Sequence, residues 1–297
     1  MTFHLLSVRF EFVARGEIRF PPQHAANVLR GALGIAFRKL VCAPECPGHA
    51  ARNVRECPLR AGCPYARNFE PAAIAAGPSG LADQPRPFVL RARHLNGRSV
   101  HPGESFCLNV HLFDSRNPPV EHFRQALAAM AAEGFGPGRG AAELVSMEQS
   151  PVSIPLDPSP AAVSRLCVEF HSPTELKSGA QIVTRPEFAV LLARARDRVS
   201  SLRTLYGPGP LEIDFRGLGE RSRAVQIARC DLQMVEAMRR SSRTGQRHSI
   251  GGFIGAVEYQ GNLGEFLPYL NAAYWTGIGR HCSWGNGEIA VEVIQGV

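Results

Sequence analysis

Lysine is nearly absent from this chain. It occurs only at Lys39 and Lys177, so arginine supplies almost all of the 33 basic residues among 297. Long apolar runs are also missing: no stretch approaches the ~20 residues that a membrane span needs. The start, Met1-Thr2-Phe3-His4-Leu5-Leu6, lacks the basic segment and apolar run of a secretory signal. These absences give the expectation of a cytoplasmic protein with no membrane partner. No G-x-x-x-x-G-K-[ST] loop is present, which excludes a P-loop nucleotidase, and no glycine fingerprint follows a first strand, which excludes a Rossmann dinucleotide site. No acids are paired at ligand spacing, so a catalytic metal finds no support.

What is present is positive charge. The net charge is +7 and the sequence pI about 9.2. The arginine guanidinium is a planar five-donor fork that takes phosphate bidentately and stacks on bases, so the balance fits a nucleic-acid partner. A GC-rich genome accounts equally well for the arginine-to-lysine ratio, but not for the net charge. With 44% hydrophobic and 20% charged residues, the chain can bury a core of two modest domains or one large one.

The apolar pattern repeats. Leu6, Val8, Phe10 and Phe12 alternate with Ser7, Arg9, Glu11 and Val13, as on a half-buried strand, and Val28, Leu29, Ala32, Leu33, Ala36, Phe37 and Leu40 then recur at helical spacing. Strands are expected at Phe88–His94 and Ser105–Phe113, a helix at Pro119–Glu133, a glycine-rich break at Gly134–Gly140 and a strand at Leu144–Glu148. Pro151–Pro160 reads as a linker. The order then begins again. A strand carries Leu166, Val168 and Phe170, and a polar loop spans Thr174–Gly179. A helix carries Phe188 to Leu202, with Arg194, Arg196, Arg198 and Arg203 on its other face, and an irregular segment spans Tyr206–Glu220. Two strands lie within Val225–Met238 and Ile250–Gln260. A helix at Leu263–Tyr274, a glycine-rich loop and a strand at Ile289–Val293 follow. Each half is a split β-α-β unit, so the expected fold is α+β with two tandem ferredoxin-like (RRM-like) domains, 1–150 and 161–297. Sheets of this kind serve as RNA platforms in the RRM.

Two segments carry candidate RNA chemistry. The loop Gly277 to Gly287 brackets a basic and aromatic insert with Gly277, Gly279, Gly285 and Gly287. Glycine lets backbone approach a phosphate and bare amides form an anion nest, with Arg280 adding charge. A tight helix-to-strand connection accounts for the same glycines. The connector Arg239-Arg240-Ser241-Ser242-Arg243-Thr244-Gly245-Gln246-Arg247-His248 holds four arginines and no acid. Each arginine that neutralises a phosphate makes affinity salt-dependent. A solvated charged turn is the plain alternative.

Cys42, Cys46, Cys57 and Cys63 cluster as C-x3-C-x10-C-x5-C within a Cys-rich insertion, about 42–64. Four thiolates close a tetrahedral zinc site, which is structural because no coordination position stays open. Free thiols or a disulfide remain the alternatives.

Ser242-Arg243, Gly251-Gly252-Phe253-Ile254-Gly255, Tyr259-Gln260-Gly261-Asn262-Leu263 and the Gly277–Gly287 loop together resemble the C-terminal signature of the CRISPR-associated RAMP-superfamily endoribonucleases that process precursor CRISPR RNA. Leu29-Arg30-Gly31-Ala32-Leu33-Gly34 and Cys63 to Pro71 are similar to that family's N-terminal region. The resemblance implies a metal-independent endoribonuclease acting on a CRISPR repeat stem-loop. In it the 2′-OH attacks the neighbouring phosphate to give a 2′,3′-cyclic phosphate. It also allows the alternative of a non-catalytic RNA-binding subunit of a CRISPR effector complex, and so further effector subunits as partners. The family's catalytic histidine often lies near the first helix, which points to His24, with His281 and His248 as rivals. Arg30, Arg38, Lys39 and Arg280 are candidate phosphate contacts.

Overall fold

A computed structural model of the chain describes residues 1–42, 46, 54–71, 84–136, 138–159, 162–179, 181–240 and 247–294. The chain divides into two units. The N-terminal unit comprises His4–Val152 with Ser283–Gly285, and the C-terminal unit comprises Met1–Phe3, Ser153–Cys282 and Asn286–Val297.

The N-terminal unit opens with β1 (Thr2–Ala14), β2 (Ile18–Arg19), α1 (Ala25–Val41) and α2 (Pro64–Phe69). It continues with β3 (Phe88–Arg91), β4 (Ser99–Val100), β5 (Ser105–Leu112), α3 (Val120–Glu133) and β6 (Ala142–Pro155). The alternation read from the first residues is realised: Val8, Phe10, Phe12 and Ala14 are buried on one side of β1, while Arg9 is exposed. The sheet order β3-β5-β1-β6 is the ferredoxin-like arrangement expected. Helices α1 and α3 cover its apolar side. Phe37 of α1 meets Phe69 of α2 and Phe123 of α3 with ring centroids 5.1 and 5.4 Å apart, within the range where aromatic pairs attract.

The C-terminal unit repeats the plan. It contains β7 (Arg165–Thr174), β8 (Leu176–Ser178), β9 (Gln181–Val183), α4 (Phe188–Tyr206), α5 (Phe215–Ser222) and β10 (Gln226–Val235). After these come β11 (Met238–Arg240), β12 (Arg247–Ser249), β13 (Gly252–Gln260), α6 (Leu267–Thr276) and β14 (Ile289–Val293). Its sheet runs β10-β13-β7-β14, so both halves carry the fold that the repeated pattern implies.

Three local expectations are overturned. The supposed linker from Pro151 is still strand, because β6 extends to Pro155. It lies at the sheet edge, where a proline costs no ladder hydrogen bond. The polar loop at Thr174–Gly179 contains β8, which pairs with β9 as a small hairpin. The irregular Tyr206–Glu220 segment contains the start of α5, whose first turn is capped by Asp214 Oδ1 accepting from the Gly217 N–H at 2.9 Å. Among the described residues no helix is long and apolar enough to cross a membrane.

Candidate active site and RNA-binding segments

His24 stands at the N-cap of α1 with φ 60° and ψ 34°, a left-handed conformation that non-glycine residues seldom adopt. Its carbonyl accepts the N–H groups of Asn27 and Val28 at 3.0 and 3.2 Å. The side chain makes no capping bond. Asn96 takes that part instead, its Oδ1 accepting from the Ala25 N–H at 2.9 Å. The imidazole is therefore not consumed by the helix. Its Nε2 is buried with no hydrogen-bond partner among the described residues. Burial pulls its pKa below the ordinary 6.5, which keeps the ring neutral and able to accept a proton. A strained backbone holding an unengaged imidazole is the pattern found where chemistry is done.

The cations expected to serve this site are placed elsewhere along α1. The Arg30 guanidinium lies over the Phe69 ring at 5.3 Å, and that of Arg38 over Tyr65 at 5.9 Å. Lys39 Nζ donates to Glu133 at 2.8 Å. With a rise of ~1.5 Å per residue, Arg38 sits about 21 Å along the axis from His24. Arg30 and Arg38 thus pack against α2, and Lys39 ties α1 to α3. Tyr65 itself donates to Glu70, and burial together with that carboxylate raises its pKa to about 12.

In the C-terminal unit the glycine-rich loop is built from the inside. Gly277, Gly279, Gly285 and Gly287 all have positive φ, as a tight connection demands. A Cβ at Gly279 would collide with the Glu175 carbonyl, and one at Gly287 with the Ile278 carbonyl. Ile278 N–H donates to Gly287 O at 2.9 Å, Gly287 N–H to Pro173 O at 3.1 Å, and Arg280 N–H to Glu175 O at 3.1 Å. The anion-nest expectation therefore fails at these three amides, which the loop uses to hold itself together. Arg280 also donates through Nη1 to the Glu175 carboxylate at 2.6 Å, while its side chain stays half exposed. Nothing in the sequence marked Glu175, because its partner lies 105 residues away. His281 is half-buried at φ 64°.

The two ends of the connector pair as antiparallel strands. Arg239 pairs with His248, and Arg240 with Arg247, across β11 and β12. Arg243 lies outside the described residues.

The C-terminal sheet carries carboxylates around Cys167. Register places Glu258 and Glu292 on either side of Cys167. Burial first, and then Glu169, Glu258 and Glu292, push the Cys167 thiol up. Glu258 is itself paired with Arg165, so part of this negative charge is offset.

Of the four clustered cysteines, Cys42 and Cys57 are buried and Cys46 and Cys63 half-buried. Burial raises the Cys42 pKa, the thiols of Cys63 and Cys46 add to the shift, and Arg38 opposes it. Among the described residues no group of three or more His, Cys, Asp or Glu is arranged to hold a metal ion. The four-thiolate cage is thus not formed by the geometry described.

Comparison with known proteins agrees with the two-unit plan. The family model described as CRISPR-associated endoribonuclease Cas6 matches residues 168–289, and one described as the AF_1859_N N-terminal domain matches residues 3–156. Among solved structures, Cas6 (TTHB231) in a product complex is similar with a TM-score of 0.56 at 15% identity, covering 97% of this chain and 100% of that one. Thermus thermophilus Cas6 (TTHB231) gives 0.55 at 15% identity, covering 98% and 99%. A partial Cas6-RT-Cas1–Cas2 complex gives 0.58 at 10% identity, covering 98% of this chain and 46% of that chain. At such identities the structural likeness is one of fold, two ferredoxin-like domains in one chain. Residues 168–289 thus form a domain of the Cas6 family of CRISPR-associated endoribonucleases, and residues 3–156 belong to the AF_1859_N N-terminal domain family.

Proposed function

We propose that this endoribonuclease cuts precursor CRISPR RNA within its repeat, with His24 as the group that activates the 2′-OH. The observation that carries this reading is the His24 ring: neutral through burial, with a free Nε2, on a backbone fixed at the start of α1. The 2′-oxygen attacks the adjacent phosphorus as its proton passes to the imidazole. The bond to the 5′-oxygen breaks, that oxygen takes a proton, and the products carry a 2′,3′-cyclic phosphate and a 5′-OH. Because the nucleophile is part of the substrate, proximity is already supplied. What remains for the protein is proton transfer and cationic support for the phosphorane. No metal enters these steps.

The β11–β12 connector supplies an arginine-rich segment for the stem, and Arg280, held at a fixed position by Glu175, supplies a further cation. A solved Cas6 product complex and a Cas6-RT-Cas1–Cas2 complex support RNA and other CRISPR proteins as partners. A structural zinc on Cys42, Cys46, Cys57 and Cys63 would require these thiols to draw closer than the described geometry places them. It would order the insertion and take no part in the chemistry.

The test is His24→Ala with repeat RNA. Cleavage should fall by ~10²-fold or more, the usual contribution of a general base, while binding stays unchanged. Full activity in that variant would remove His24 from the reaction.

A further inference from the structure

Helices α4 and α5 of the C-terminal unit flank an open cleft of about 460 Å³, within the ~300–1,000 Å³ typical of small-ligand sites. Ala189 and Ala193, one turn apart on α4, line it together with Gly219 of α5. A Cβ at Gly219 would meet only the Arg196 guanidinium, at 4.0 Å. Packing therefore does not require a glycine there, and glycine inside a helix is a poorer choice than alanine. Its effect is to leave the space open.

Arg196 is fixed before any ligand arrives. Its Nε and Nη2 donate to Asp197 Oδ1 at 3.1 and 2.8 Å, and its Nη1 to the Phe215 carbonyl at 3.1 Å. The guanidinium carbon lies 4.9 Å from the centroid of the Phe215 ring. Phe215 remains 38% exposed, a large apolar ring only partly covered. Arg216, Glu220 and Arg223 complete the lining. Both arginines are exposed, and Arg216 pairs with Glu220 at 2.9 Å.

The lining joins a ring and a guanidinium plane, which stack on flat π-systems, to two arginines suited to phosphate and a carboxylate that accepts N–H groups. A ligand that was only anionic would gain nothing from Phe215 and would be repelled by Glu220. We propose that the cleft receives one unpaired nucleotide of an RNA strand, its base against Phe215, its phosphate at Arg216 and Arg223, and a base N–H at Glu220. Releasing Glu220 from an exposed ion pair costs little and frees Arg216 for the phosphate. The inference rests on the reading of RNA as substrate and adds a second contact, for single-stranded RNA flanking the hairpin.

Binding and cleavage of three RNAs test it: the bare repeat hairpin, and the same hairpin with a short single-stranded extension on its 5′ or its 3′ side. One extension should tighten binding to the wild-type protein by roughly 5- to 100-fold, the range of a single base–aromatic stack. Gly219→Leu, which fills the cleft, and Phe215→Ala, which removes the ring, should lose that gain while binding and cutting the bare hairpin as the wild type does. Because Phe215 is partly exposed, its alanine variant keeps the fold and decides the matter alone if Gly219→Leu unfolds. An extension without effect on the wild type, or an undiminished gain in Phe215→Ala, overturns the proposal. Failure of the RNA reading itself looks different, since the wild type would then ignore the bare hairpin as well.

Discussion

Arg280 is held twice by Glu175, through its backbone N–H to the Glu175 carbonyl at 3.1 Å and through its guanidinium to the Glu175 carboxylate at 2.6 Å. Glu175 is buried, so its charge is tolerated only because Arg280 compensates it. One residue thereby sets both the path of the glycine-rich loop and the position of its single arginine. Glu175→Ala should destabilise the protein by about 1–3 kcal/mol, the cost of removing a partner in a charged hydrogen bond. Denaturant unfolding measures this. A change within ~0.5 kcal/mol, as for an ordinary surface site, would mean that the loop is held by its backbone bonds alone.

The pH dependence of cleavage follows from the depressed pKa of His24. A base is active when unprotonated, and burial favours the neutral ring. Activity should therefore persist as pH falls through 6.5, and the acidic limb of kcat/KM should have its midpoint below that value. A midpoint at or above 6.5 would point to a different group.

The basic connector is tested by salt. Each phosphate neutralised by an arginine contributes ~0.7–0.9 to the slope of log K against log salt concentration. Removing Arg243 and Arg247 together should weaken repeat binding and flatten the slope by about 1.5. An unchanged slope would take the connector out of the interface.

Elemental analysis of the purified protein should find about one zinc per chain if the four cysteines close a site. Cys42→Ser should lose that zinc, with cleavage chemistry retained in the folded fraction. A chain free of zinc would leave these residues as thiols.

The fold was largely legible because its signals are local. The period-two run of β1, the helical spacing from Val28 to Leu40 and the repetition of both patterns past Pro160 need no knowledge of distant partners. What stayed hidden depends on long-range pairing. Pro151 reads as a linker until β6 is known to be an edge strand. The arginines of α4 read as a basic surface, yet Arg198 donates to Thr276 O at 2.8 Å, and Arg203 to Gly209 O and Thr2 O at 3.0 and 2.8 Å. They fasten segments far apart in sequence. The same holds for Arg30 and Arg38, whose aromatic partners on α2 could not be read from α1. His24 was visible as the histidine before the first helix, but its free Nε2 was not, because that depends on Asn96 supplying the helix's first hydrogen bond.

The most direct measurement is incubation of the purified protein with its repeat RNA in EDTA, followed by analysis of the new ends. The expected result is a single cut that leaves a 2′,3′-cyclic phosphate and a 5′-OH. Absence of cutting, or a 3′-OH and 5′-phosphate formed only when divalent metal is restored, would contradict attack by the substrate's own 2′-oxygen.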